Sequence, residues 1–124
     1  MTLAFWCVLA AALLPYVFAG IAKVGDTPYD NRAPRRYLDS VQGRQQRAHW
    51  AQLNSYEAFP PFAAGVIIAH LCEAPQTQID GLGVAFVLFR IAYGWAYITD
   101  RATLRSVVWL GGVASVVGLF VVGA

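Results

Sequence analysis

Hydrophobic positions gather into four blocks along the chain, approximately Thr2–Ala22, Ala48–Leu71, Gly81–Thr99 and Ala102–Val122. Each block holds about 20 residues, enough at about 1.5 Å per residue to cross about 30 Å of hydrocarbon. The pattern predicts an all-α integral membrane protein. It would be a four-helix bundle forming one domain over residues 1–124, with spans at about 2–22, 45–72, 80–99 and 102–122. The first block has no Lys or Arg ahead of it and runs longer than a signal-peptide core, so an uncleaved first span is expected.

The polar sequence between the blocks sets the connections. Segment 23–46 contains Pro28, Pro34, Gly25 and Asn31 and reads as loop. The second helix is expected to start ahead of the membrane, between Ser40 and Arg47, with Asp39 or Ser40 as its N-cap. Glu73–Asp80 is a short turn that makes the second and third helices antiparallel neighbours. Asp100–Arg101 is tighter still. In the last block, Gly111, Ala114, Ser115 and Gly118 allow close helix packing.

Composition agrees with this picture, with 58% hydrophobic and only 13% charged residues, about half the charged share of a soluble domain. The nine cations are placed asymmetrically. All except Arg90 lie in or beside the first and third connections, and the second connection has none. The positive-inside rule then puts connections one and three in the cytoplasm and both termini outside, as in a bacterial inner membrane. The net charge of +2 is a topology signal, and no nucleic-acid partner is expected. Cys7 and Cys72 lack CxxC spacing and read as two buried free thiols. His49 and His70 stand apart from other ligands, so no metal site is expected.

Within the second block, Arg47, Trp50, Asn54, Glu57 and Pro61 recur at intervals of three or four and line one helical face. An ionisable group in hydrocarbon costs roughly 2.5–3.5 kcal/mol on insertion scales unless it is paired. Glu57 therefore needs a partner, a wet cleft, or both. Arg90 lies near the middle of the third block and shares a face with Tyr93 and Tyr97. Similar depth and opposite sign make Glu57 and Arg90 the expected structural pair, within a subunit or between subunits. Such a pair can serve packing register alone. Pro60 and Pro61 remove two backbone donors and should bend the helix, leaving the carbonyls of Tyr56 and Glu57 without their usual partners.

Nearer the cytoplasmic boundary, Arg47, Asn54, Tyr97, Arg101 and Arg105 should converge on a cationic, hydrogen-bonding cleft. A small polyanionic molecule with an amide backbone would suit it, and so would a lipid headgroup. Arg32, Arg35 and Arg36 read either as a basic tether beside anionic headgroups or as a lid over that cleft.

These residues resemble those of a known family, the membrane-associated proteins in eicosanoid and glutathione metabolism (MAPEG). The resemblance covers all four blocks. It is strongest in Arg47…Asn54-x-x-Glu57-x-Phe59-Pro60 and recurs in Arg90-x-x-Tyr93-x-x-x-Tyr97 followed by Arg105-Ser106. It implies a homotrimer of four-span subunits with glutathione, the co-substrate, bound between neighbours near the cytoplasmic face. Asn54 and Glu57 would contact glutathione, with Arg47, Tyr93 and Tyr97 as further polar contacts. Arg105 would stabilise the thiolate, with Ser106 beside it in the catalytic pair. The chain departs from the family pattern at Trp50, where the glutathione-using members carry arginine, and at Ala58, where some carry tyrosine. Those departures resemble the divergent bacterial-type members.

The energetics are reasonable. Lowering a thiol pKa from about 8.5 to about 6.5 needs about 2.7 kcal/mol. A guanidinium about 4 Å away is worth about 4 kcal/mol at an effective dielectric near 20, before desolvation. The resemblance thus implies a transferase or peroxidase that turns a glutathione thiolate on a lipophilic electrophile from the bilayer. Two other functions fit the same sequence: a non-catalytic lipid-binding scaffold on this fold, and a transporter using Glu57 and Arg90 as a polar path.

Overall fold

The computed structural model describes residues 1–124 and is entirely helical. Its elements are α1 (Leu3–Ala22), α2 (Pro34–Ser40), α3 (Gly43–Leu71), α4 (Gln76–Ile98) and α5 (Ala102–Val122). Helices α1, α4 and α5, of 20, 23 and 21 residues, are each long and apolar enough to cross a membrane. At 29 residues α3 is longer still, but its polar first half excludes it from that class by composition. The protein is a membrane protein by these helices. In the packing, α4 lies most extensively against α5, and α1 against α3.

The buried side chains form two clusters with a polar layer between them. One holds Ala4, Cys7, Ala11, Phe62, Val66, Ala69, Ile79, Phe86 and Leu119. Phe62 and Phe86 stack there with centroids 3.9 Å apart. The other lies at the opposite end and joins Phe18 and Ala22 of α1, Tyr37 and Leu38 of α2, Val41 between α2 and α3, Ala48 and Ala51 of α3, and Ile98 of α4. Between the two, in helix order, lie Ser55 and Arg90, both buried. Where α1 crosses α4, a Cβ on Gly94 would collide with the Phe18 ring, so the close approach requires glycine.

Three local expectations are corrected. The first connection is not all loop: Pro34 opens α2, a position where its missing N–H costs nothing, and Tyr37 and Leu38 anchor the short helix to the bundle. The N-cap of α3 is Gln42 rather than Asp39 or Ser40, because those two residues close α2 and buried Val41 separates the helices in extended conformation. Cys72 is exposed rather than buried, since α3 ends at Leu71. Pro60 and Pro61 do not interrupt α3.

Both tight turns use one device. Glu73 and Asp100 take φ of 55° and 61°. Ala74 N–H then returns to Ala69 O at 3.0 Å, and Arg101 N–H to Ala96 O at 2.8 Å. These are Schellman closures built without glycine.

The first connection is held by Gln45. This side chain is buried and donates through Nε2 to Ala22 O at 3.0 Å and to the Tyr37 hydroxyl at 2.7 Å, while Oε1 accepts from Thr27 N–H at 3.2 Å. The Tyr37 hydroxyl in turn donates to Thr27 O at 2.7 Å. One amide thus supplies a partner for the C-terminal end of α1 and for the connecting chain. At the other end of the bundle, Asp80 Oδ1 accepts from Ala4 N–H at 2.9 Å, placing a carboxylate at the N-terminus of α1. His70 Nδ1 lies 2.7 Å from Val66 O, so that nitrogen carries the proton and Nε2, 3.0 Å from Thr2 Oγ1, accepts from the hydroxyl.

Candidate functional site

Two cavities share one wall. Asn54 and Glu57, three residues apart on α3, line both. The first cavity, about 310 Å³, lies among α3, α4 and α5. Its walls include Pro61, Phe86, Trp109 and the α5 residues Gly112, Val113, Val116 and Val117, with Arg90 at its polar side. The α5 positions form a continuous helical stripe. The second cavity, about 340 Å³ and more open, is closed by Trp50 and Leu53 of α3 and by Tyr93 and Tyr97 of α4. One chamber is lined chiefly by hydrocarbon. The other is rimmed by phenols, an amide and a carboxylate.

Arg90 is the organising charge. It is 3% exposed, and its Nη2 donates to Asn54 Oδ1 at 2.8 Å and to Ser55 Oγ at 3.2 Å. Its guanidinium lies 4.2 Å from the centre of the Tyr93 ring. Asn54 Nδ2 then donates to Glu57 Oε2 at 3.3 Å. Glu57 and Arg90 therefore do not form the direct ion pair expected from their depth. Asn54 stands between them as a relay, because it sits one helical turn nearer the guanidinium than Glu57 does. The nearest approach of a histidine to a carboxylate is His49 Nε2 to Asp39 Oδ1, at 3.9 Å. Glu57 is exposed toward the cavities.

The other expected site residues divide. Asn54, Glu57, Tyr93 and Tyr97 come together on the second cavity. Arg105 lies 4.5 Å from the centre of the Tyr97 ring, so it stands one side chain away from that cavity rather than in its wall. The Ser106 hydroxyl donates to Ala102 O at 3.2 Å, within its own helix, and is exposed. Arg47 turns away from the cleft, and its Nε donates to Ile98 O at 3.1 Å, satisfying a terminal carbonyl of α4. Arg101 covers the Trp95 ring at 4.8 Å. Arg32, Arg35 and Arg36 are exposed and line neither cavity. The convergence of five polar side chains expected at the boundary is thus reduced to Asn54 and Tyr97, with Arg105 behind Tyr97.

Sequence reasoning missed Ser55, which holds Arg90 and also donates to Ala51 O at 2.8 Å. It also missed the apolar wall supplied by α5. The stripe from Trp109 to Val117 could have revealed that wall, since Gly112 is its small-residue gap. Trp50, 42% exposed, edges the second cavity, with its ring 6.2 Å from that of Tyr97.

A helical membrane protein with a buried arginine, an Asn-x-x-Glu face and paired chambers defines a narrow class. The model of the MAPEG family matches residues 3–124, nearly the whole chain, and the protein belongs to that family. No curated protein matches the chain. Membership gives the protein a membrane function related to glutathione or eicosanoid metabolism.

Proposed function

We propose that the protein is a glutathione-dependent membrane enzyme of the transferase or peroxidase type. It would be a single domain over residues 1–124, with α3 as a fourth span beside α1, α4 and α5, assembled as a homotrimer. The observation that carries this reading is the shared wall: a polar chamber and an apolar chamber meet at Asn54 and Glu57. Glutathione, zwitterionic and rich in amides, suits the chamber of Trp50, Asn54, Glu57, Tyr93 and Tyr97. A lipophilic partner suits the chamber along α5. Arg105, stacked on Tyr97, is the cation available to favour the thiolate, with Ser106 next to it.

In conjugation, the thiol proton leaves to water, the sulfur bonds to an electrophilic carbon, and the bond from that carbon to its leaving group breaks, the leaving group departing with the electron pair. In peroxide reduction, two glutathione thiols give a disulfide while the hydroperoxide becomes an alcohol and water. Arg47 belongs to the fold in this reading, as a partner for the end of α4. The basic first and third connections face the cytoplasm of a bacterial cell.

The position of Arg105 outside both cavity walls favours a second reading, a lipid-binding scaffold without turnover. Calorimetric titration of glutathione into detergent-purified protein, followed by conjugation of a generic aryl electrophile, separates the two. Binding with turnover that falls in Arg105→Ala supports the enzyme. Binding without turnover supports the scaffold, and absence of both rejects the glutathione site.

A further inference from the structure

The tandem prolines of α3 open two main-chain acceptors inside an unbroken helix. In an α-helix each carbonyl accepts from the N–H four residues on, and Pro60 and Pro61 carry none. The carbonyls of Tyr56 and Glu57 lose those partners. No N–H from a turn or cap reaches them. The polar side chains beside them are engaged elsewhere, Asn54 Nδ2 on Glu57 Oε2 and Ser55 Oγ on Ala51 O. A proline ring also presses on the carbonyl four residues back and tilts it off the helix axis.

The two acceptors have different surroundings. Glu57, Ala58 and Pro61 all line the apolar cavity, and Glu57 and Pro61 are exposed. A helical carbonyl points along the axis toward the fourth residue on, so the Glu57 oxygen lies between two exposed residues of that wall. Tyr56 and Pro60, one position back, line neither cavity. A carbonyl open to an apolar space takes its hydrogen bond from water or from whatever fills that space. Glu57 and Arg90 line the same chamber with opposite signs, so a charged guest of either sign meets a like charge and also loses its hydration. The volume, about 310 Å³, suits a hydrocarbon chain of medium length with one small polar end.

We propose that the apolar chamber binds uncharged lipophiles bearing a hydroxyl or hydroperoxy group, which donates its O–H to the main-chain carbonyl of Glu57. The inference rests on assigning that chamber to the lipophilic partner. It leaves the Glu57 carboxylate free to serve the polar chamber. Its test uses no thiol, so lipophile binding that persists where glutathione fails to bind or react would reject only the thiol chemistry.

The probes are n-undecanol and methyl decyl ether, isomers that differ in possessing an O–H, each added to full-length protein in lipid nanodiscs. Binding is corrected for uptake by empty nanodiscs. Glu57 and Glu73 are the two glutamates of the chain, so glutamate labelled with carbon-13 at its main-chain carbonyl, in a Glu73→Gln background, reports on Glu57 alone. The alcohol should bind at least about threefold more tightly than the ether. The labelled carbonyl band should lie at lower frequency with the alcohol than with the ether. Pro61→Ala restores the N–H that the Glu57 carbonyl lacks, and should remove both differences while helix content is retained. Pro60→Ala frees nothing in the chamber wall and should preserve both. Equal binding of the isomers, equal band positions, or differences that survive Pro61→Ala would each overturn the proposal. Equal binding would mean that the probes dissolve in lipid or that a second copy of the chain fills the chamber.

Discussion

Arg90 and Asn54 are joined by a 2.8 Å hydrogen bond across α3 and α4, and this bond rather than a carboxylate contact holds the buried cation. The amide orientation is fixed, since Asn54 Oδ1 faces Arg90 and Nδ2 faces Glu57. Hydrogen bonds to charged groups are worth roughly 1.5–3 kcal/mol. Asn54→Leu should therefore destabilise the protein by about 2–3 kcal/mol, and Glu57→Gln by less than about 1. Reversible unfolding of both variants in mixed micelles measures the ratio. Equal losses would mean that Arg90 is held by the carboxylate directly.

Arg105 touches the face of Tyr97, and Tyr97 lines the polar chamber. If this arginine stabilises a thiolate, Arg105→Ala should lower turnover by about tenfold or more, corresponding to about 1.4 kcal/mol of lost stabilisation. Tyr97→Phe keeps the ring and should retain most of the activity, whereas Tyr97→Leu should lose part of it. Single-turnover rates with saturating thiol provide the comparison. Unchanged rates in Arg105→Ala would remove that residue from the chemistry.

The crossing of α1 and α4 at Phe18 and Gly94 leaves no room for a methyl group. Gly94→Ala should cost about 1–3 kcal/mol through overpacking. Phe18→Leu in the same chain should recover part of that loss. Failure of the double variant to improve on Gly94→Ala would place the strain elsewhere.

Glu73 adopts φ of 55°, a region that disfavours residues with a Cβ. Glu73→Gly should raise stability by about 1 kcal/mol, the left-handed strain exceeding the added chain entropy of glycine. Thermal unfolding in one detergent at fixed lipid content reads this out. A lowered midpoint would show that the Glu73 side chain contributes more than its backbone costs.

The long helices were legible because hydrocarbon thickness sets their length. The first, third and fourth apolar blocks correspond closely to α1, α4 and α5. Helix α2 was hidden, since seven residues opened by proline carry no periodic signal, and only the burial of Tyr37 and Leu38 fixes them. Gln45 reads in sequence as a solvated residue before a membrane span; its burial exists only once α1, α2 and α3 meet. The indirect contact of Glu57 with Arg90 within the chain has a similar origin. Charge and depth pointed to Glu57, but one turn of helix decides which of Asn54, Ser55 and Glu57 a guanidinium on α4 can reach. The α5 side of the apolar chamber was visible as a stripe, yet nothing in the chain says which neighbour that stripe faces.

Two rooms divided by a single partition cannot be furnished independently. A guest that pulls on Glu57 or turns the Asn54 amide from one side alters what the other side presents. Thermodynamic reciprocity then requires each guest to change the other's affinity by the same factor, whichever enters first. Order of addition should therefore leave the final occupancy unchanged while altering the path taken to reach it.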